Sequence, residues 1–82
     1  MEALDGNAIG GLLQEVFGVE LTAVPGVCGS CGARRPVAEL AVYLRAPGTV
    51  VRCPSCDSVL MTFVEVREVW SVDMRGLAAL EL

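Results

Sequence analysis

Cys28-Gly29-Ser30-Cys31-Gly32 and Cys53-Pro54-Ser55-Cys56-Asp57 are two C-x-x-C segments that hold all four cysteines of this 82-residue chain. The spacing is chemical. A C-x-x-C turn directs backbone N–H groups toward the sulfur of its first cysteine, partly neutralising the thiolate, and lets both sulfurs reach one ion at about 2.3 Å. Two such turns supply the tetrahedral donor set that zinc prefers. Cys28, Cys31, Cys53 and Cys56 are therefore the expected ligands of one structural Zn²⁺ per chain. Gly32 suits the positive-φ position that follows the second cysteine of such a turn. Asp57 holds that place in the second turn; aspartate tolerates left-handed backbone better than most residues, though less well than glycine.

A chain of this length reads as one domain over residues 1–82, at a size where an apolar core alone gives marginal stability and a metal is a common staple. Apolar residues make up 54% of it and charged ones 20%, which excludes a disordered chain. No segment is long enough to span a membrane: the longest uncharged run, Leu21 to Ala33, is too short and contains Pro25 and several glycines. The first basic residue is Arg34, so a secretory signal is not expected and the location is read as cytoplasmic. In that reducing compartment paired cysteines point to metal and not to disulfides. All six basic residues are arginines, a bias that fits a GC-rich bacterial genome.

Upstream of the cysteines, residues 1–18 predict a helix. Asp5 is a suitable N-cap, with Leu4 placed to pack on Ile9. Ile9, Leu12, Leu13, Val16 and Phe17 recur at helical spacing, and Gly18 stands where a C-terminal cap belongs. Beyond Gly18 the pattern is β. Strands are expected over Val19–Val24, ended by Pro25-Gly26, and over Val37–Arg45, with Ala38, Leu40, Val42 and Leu44 on one face. A turn is expected at Ala46-Pro47-Gly48-Thr49. Strands then follow over Thr49–Cys53, Val59–Val66 and Val69–Met74, the last two joined by a turn within Glu65–Glu68. Trp70, Val72 and Met74 should align. The strand Val59–Val66 is apolar on both faces: Val59, Met61 and Phe63 on one, Leu60, Val64 and Val66 on the other. Such a strand is normally covered on both sides. The helix can cover one side; residues 77–82, a second subunit or another partner must cover the other.

The two knuckles and the strands around them resemble the zinc-ribbon superfamily. Across most of the chain, Leu4-Asp5-Gly6-Asn7-Ala8, the first knuckle, Val37-Ala38-Glu39-Leu40, Tyr43-Leu44-Arg45-Ala46-Pro47-Gly48, Arg52-Cys53-Pro54 and Val72-Asp73-Met74-Arg75-Gly76 also look like small uncharacterised bacterial zinc-ribbon proteins. The resemblance implies the fold and the metal, and brings no activity with it. The expected fold is a small metal-bound α+β domain: an N-terminal helix (1–18), an antiparallel β zinc ribbon with two C-x-x-C knuckles (19–74) and a C-terminal tail (75–82).

For function, the first expectation is a non-enzymatic module that acts through a protein partner or as a homodimer. A saturated Cys₄ site leaves no open metal position. There is no histidine, and Ser30, Ser55, Ser58 and Ser71 lack a base partner, so no catalytic residue and no small-molecule substrate are expected. A second expectation is nucleic-acid binding through a basic tip made by Arg34, Arg35, Arg45 and Arg52. The segment Cys28–Cys56 carries a net +3, between flanks of −4 and −3. Net acidity, the absence of lysine and only four aromatic residues weigh against it, and pairing of these arginines with thiolates and carboxylates is the simpler reading. A third expectation is a rubredoxin-like iron electron carrier, suggested by the Cys53-Pro54-Ser55-Cys56 turn and less well matched than zinc by the spacing. Trp70 is expected as a core or interface anchor, and Gly6-x-x-x-Gly10 as a place of close packing.

Overall fold

The computed structural model describes residues 4–45 and 48–82, apart from the side chain of Arg45. It is an α+β structure: a short N-terminal helical segment followed by two antiparallel sheets. The helical segment begins as a 3-10 turn over Gly6–Ile9 and continues as α1, Gly10–Phe17. Asp5 caps its start, its carboxylate accepting the Asn7 N–H at 3.1 Å. Gly18 ends it at φ 76°, with its N–H on the Gln14 carbonyl, as a left-handed C-terminal glycine should. Gly6 packs against a second 3-10 turn, Val37–Glu39, so closely that a Cβ would stand 1.7 Å from the Val37 carbonyl oxygen. Leu4, expected to pack on Ile9, makes a backbone bridge to Val42 and leaves its side chain 47% exposed.

Seven strands follow: β1 Pro25–Cys28, β2 Arg34–Pro36, β3 Ala41–Arg45, β4 Gly48–Arg52, β5 Val59–Val66, β6 Val69–Asp73 and β7 Leu77–Leu80. They form a three-stranded sheet in the order β2-β1-β7 and a four-stranded one in the order β3-β4-β5-β6. Three expectations are corrected here. No strand forms over Val19–Val24. Leu21 turns into the core, the Val24 N–H closes a turn on the Leu21 carbonyl, and the strand starts instead at Pro25, an end position where a missing N–H is tolerated. The stretch Val37–Arg45 is a 3-10 turn and then a strand. The Val37 and Ala38 N–H groups are drawn to the Val24 and Thr22 carbonyls, so Leu40 and Val42 are buried while Leu44 is exposed. The segment 75–82 is no tail, because β7 pairs with β1 and the Glu81 N–H reaches the Pro25 carbonyl at 2.8 Å. Of the turn expected at Ala46-Pro47-Gly48-Thr49, the first two residues lie outside the described ones and the last two belong to β4.

The strand β5 has the expected bounds but not the expected faces. Arg52 stands opposite Val59 and Val51 opposite Met61, so Leu60 is a bulge residue, and Leu60 and Met61 are both buried. Val59, expected beside Met61 and Phe63, is exposed. Residues opposite one another in an antiparallel ladder share a face. Val42, Val51 and Met61, then Thr49 and Phe63, form the inner face, which joins Ile9 and Leu13 in the core. The ring of Phe17 meets Phe63 edge-on, centroids 6.3 Å apart. Trp70 and Met74 pack on this core, as does Leu77 of β7. The other face carries Tyr43, Val50, Thr62, Val64, Val66 and Val69, and each of these is half-buried or exposed.

Arg67 and Glu68 join β5 to β6, both at positive φ (53° and 67°), the backbone of a type I′ turn. Neither residue suits it. Replacing the pair by Asn-Gly is expected to raise stability by about 1–2 kcal/mol, from the relief of two left-handed residues. A denaturant midpoint that falls or stays unchanged in Arg67→Asn/Glu68→Gly would contradict this turn.

Candidate metal centre

The two knuckles come from different sheets. Cys28 ends β1 of the small sheet, while Cys53 follows β4 of the large one. Each knuckle folds the same way for the same reason. The Cys28 N–H is held by the Ala33 carbonyl and the Cys53 N–H by Ser58, both at 2.9 Å. The Gly32 N–H returns to the Cys28 carbonyl and the Asp57 N–H to Cys53. Gly32 (φ 77°) and Asp57 (φ 63°) take the left-handed positions expected of them. Aspartate is supported there by Arg52, whose Nη1 donates to the Asp57 carbonyl at 2.9 Å and lies 3.8 Å from its carboxylate.

All four Sγ atoms lie within 4.8 Å of one another. Cys28 and Cys56 are 3.6 Å apart at sulfur, and Cys31 and Cys53 are 3.7 Å apart. The edge of a tetrahedron with metal–sulfur bonds of 2.3 Å is about 3.8 Å, and these two distances match it, so the four cysteines could hold one metal ion. The Ser30 and Ser55 N–H groups each point at the first sulfur of their knuckle from 3.4 Å. Cys28 and Cys53 are buried, Cys31 and Cys56 exposed.

Electrostatics gives the same picture. Thiolates so close repel unless a cation sits among them. The Ala33 N–H favours the Cys31 thiolate, yet desolvation and the three neighbouring sulfurs push its pKa up to about 11. The Ser58 hydroxyl, with the Ser58 N–H, brings Cys56 down to about 6. Burial opposes ionisation of Cys53, but the Cys56 and Ser55 N–H groups hold it below the ordinary thiol value. The donor set fits a metal ion: all sulfur, tetrahedral in outline, with N–H groups on the buried pair.

The described chain, 4–45 and 48–82, thus brings every cysteine of the sequence into one cluster. A model described as a family of unknown function, DUF6510, matches residues 1–82. The chain belongs to DUF6510. No curated protein and no solved structure matches it.

Among the described residues, three arginines of the expected basic tip in this DUF6510 chain each have a carboxylate partner. Arg34 pairs with Glu81. Arg35 sits 3.6 Å from Glu39 and donates from Nη2 to the Ser55 hydroxyl at 3.1 Å, tying β2 to the second knuckle. Arg52 is engaged by Asp57, and the side chain of Arg45 is outside the described residues. These pairs are solvent-exposed, so each adds at most about 1 kcal/mol. Sequence reasoning passed over Ser58, whose Oγ lies 3.2 Å from Cys56 Sγ. Aligning the two knuckles on their cysteines would have found it, since Ser58 occupies the place that Ala33 fills in the first.

Proposed function

We propose that this DUF6510 chain is a zinc ribbon: a non-enzymatic cytoplasmic module whose single Zn²⁺ joins its two sheets and which acts by binding protein through its open sheet face. Convergence of the four sulfurs carries the metal reading. Zinc is preferred to iron because Cys31 and Cys56 are open to solvent, where a redox-inert ion is the more durable occupant. Four thiolates complete the coordination, leaving no position for substrate. Two concavities among the described residues, of about 280 and 220 Å³, fall short of the roughly 300 Å³ at which ligand pockets begin. Both lie on the open face, lined by Tyr43, Val50, Arg52 and Asp57 in one case and by Thr62, Val64, Ser71, Val72 and Asp73 in the other.

That face supports the interaction reading. Val66 is 57% and Val69 65% exposed, beside half-buried Tyr43, Val50 and Val64. The first partner to test is a second copy. Elemental analysis of protein purified without chelator should give one zinc per chain and a colourless solution; iron with strong visible absorption would replace this reading by electron transfer. Sedimentation at micromolar concentration should give a dimer that Val64→Glu converts to monomer. A wild-type monomer would discard the homodimer and leave a different protein as the partner. Carboxylate partners on the described arginine side chains of the expected basic tip count against nucleic acid.

A further inference from the structure

The two knuckles align position for position on their cysteines, and the alignment exposes an asymmetry two residues past the second cysteine. Cys28 and Cys53 are the buried first cysteines, each with an N–H on sulfur from Ser30 or Ser55. Cys31 and Cys56 are the exposed second cysteines, each facing the N–H of the residue two positions on, Ala33 or Ser58. Of the two exposed sulfurs, Cys56 has a further partner among the described residues, the Ser58 hydroxyl at 3.2 Å. Position 33 holds a methyl group in its place. Of the two solvent-exposed sulfurs, Cys31 is therefore the less hydrogen-bonded.

A metal-bound thiolate still reacts with small electrophiles, and it does so in proportion to access and to the availability of its lone pairs. As a thiol, Cys56 Sγ donates to Ser58 Oγ at 3.2 Å; a metal-bound thiolate has no proton to give, so there the Ser58 hydroxyl is the donor and holds one of those pairs. We infer that Cys31 is a modification site: the sulfur through which oxidants and alkylating electrophiles open the metal centre, while Ser58 shields Cys56. The inference rests on the metal reading above. With a peroxide, the Cys31 sulfur attacks one oxygen; an S–O bond forms, the O–O bond breaks and hydroxide leaves, sulfur being oxidised to sulfenic acid by two electrons. The Cys53 thiolate, 3.7 Å from Cys31 at sulfur, then attacks that sulfur; the S–S bond forms and hydroxide leaves again. Two of the four ligands are lost and the ion is released. A maleimide blocks one ligand by addition: the S–C bond forms, the C=C π bond breaks and the neighbouring carbon takes a proton from solvent.

The test is competitive labelling. Metal-loaded full-length protein, its metal content measured first, is treated with substoichiometric N-ethylmaleimide and mapped by peptide mass spectrometry. Cys31 should be labelled ahead of Cys56 by about three- to tenfold, the strength of a hydrogen bond to a charged group scaled by the sensitivity of thiolate attack. In Ser58→Ala, Cys56 labelling should rise to the level of Cys31. In Ala33→Ser, Cys31 labelling should fall toward that of Cys56. Under hydrogen peroxide, a chromogenic zinc indicator should report release faster from Ser58→Ala than from wild type. Metal bound with Cys56 labelled first, or labelling unchanged in both variants, overturns the inference and leaves the metal reading intact. A chain that holds no metal overturns both.

Discussion

Cys31→Ser and Cys56→Ser are each expected to give a largely unfolded or aggregated product. The size of the effect is what makes the experiment informative. Both residues are exposed, and a surface Cys→Ser exchange away from any special feature changes stability by about 0.5 kcal/mol or less. A structural zinc site contributes about 10–16 kcal/mol at neutral pH, as much as the whole stability of a small domain. The two accounts of the cluster therefore differ by an order of magnitude at these positions. Circular dichroism and size exclusion, with metal content measured on the same samples, read the difference. A soluble variant with wild-type denaturant midpoint would end the structural role of the metal.

The reason for so large a dependence lies in where the knuckles sit. Cys28 belongs to the sheet β2-β1-β7, and Cys53 to the end of β4 in the other sheet. One ion on the four sulfurs would crosslink the two sheets, whose other contacts include the shared apolar core, the exposed Arg35–Ser55 hydrogen bond and the packing of Gly76 against Val59. The prediction is thus about the joint between sheets more than about any one loop.

The cysteine cluster was legible in the sequence because its signal is local: two turns, each fixed by four residues, each needing a particular backbone after its second cysteine. The strand β5 was legible for a similar reason, a run of β-branched and apolar residues that starts directly after the turn of the second knuckle. What the sequence concealed was non-local. Val19 to Val24 has strand propensity, yet Leu21 is worth more buried in the core than aligned in a sheet, and the ladder starts at Pro25 where propensity would stop it. Val37 to Glu39 alternates like a strand but is bent by hydrogen bonds to Thr22 and Val24. The burial of Leu60 depends on a bulge set by register against β4, which no periodicity within β5 records. Leu77 to Leu80 looked like a tail because a four-residue edge strand shows its pairing only once β1 is placed beside it.

Gly76→Ala should be strongly destabilising, although residue 76 is far from the metal ligands in sequence. The Gly76 carbonyl accepts the Gly29 N–H of the first knuckle at 2.9 Å. On its other side a Cβ would stand 1.9 Å from the Val59 carbonyl oxygen and 2.6 Å from the Leu60 Cα. Val59 opens β5 directly after the second knuckle. Gly76 is thus wedged between the two halves of the centre, in contact with backbone on both sides, and no side chain can swing away to make room. A methyl group there must push the first knuckle off the second or break the hydrogen bond to Gly29. The expected loss is about 3 kcal/mol or more, at the upper end of overpacking, together with weakened metal retention against a chelator. Gly11→Ala is the control, since a Cβ at Gly11 meets nothing within 4 Å and an alanine inside α1 should gain about 0.5–1 kcal/mol. Equal midpoints and equal chelator resistance in Gly76→Ala and wild type would mean that the sheets are not held this close. A loss of stability with metal retention intact would separate the packing of Gly76 from the integrity of the centre.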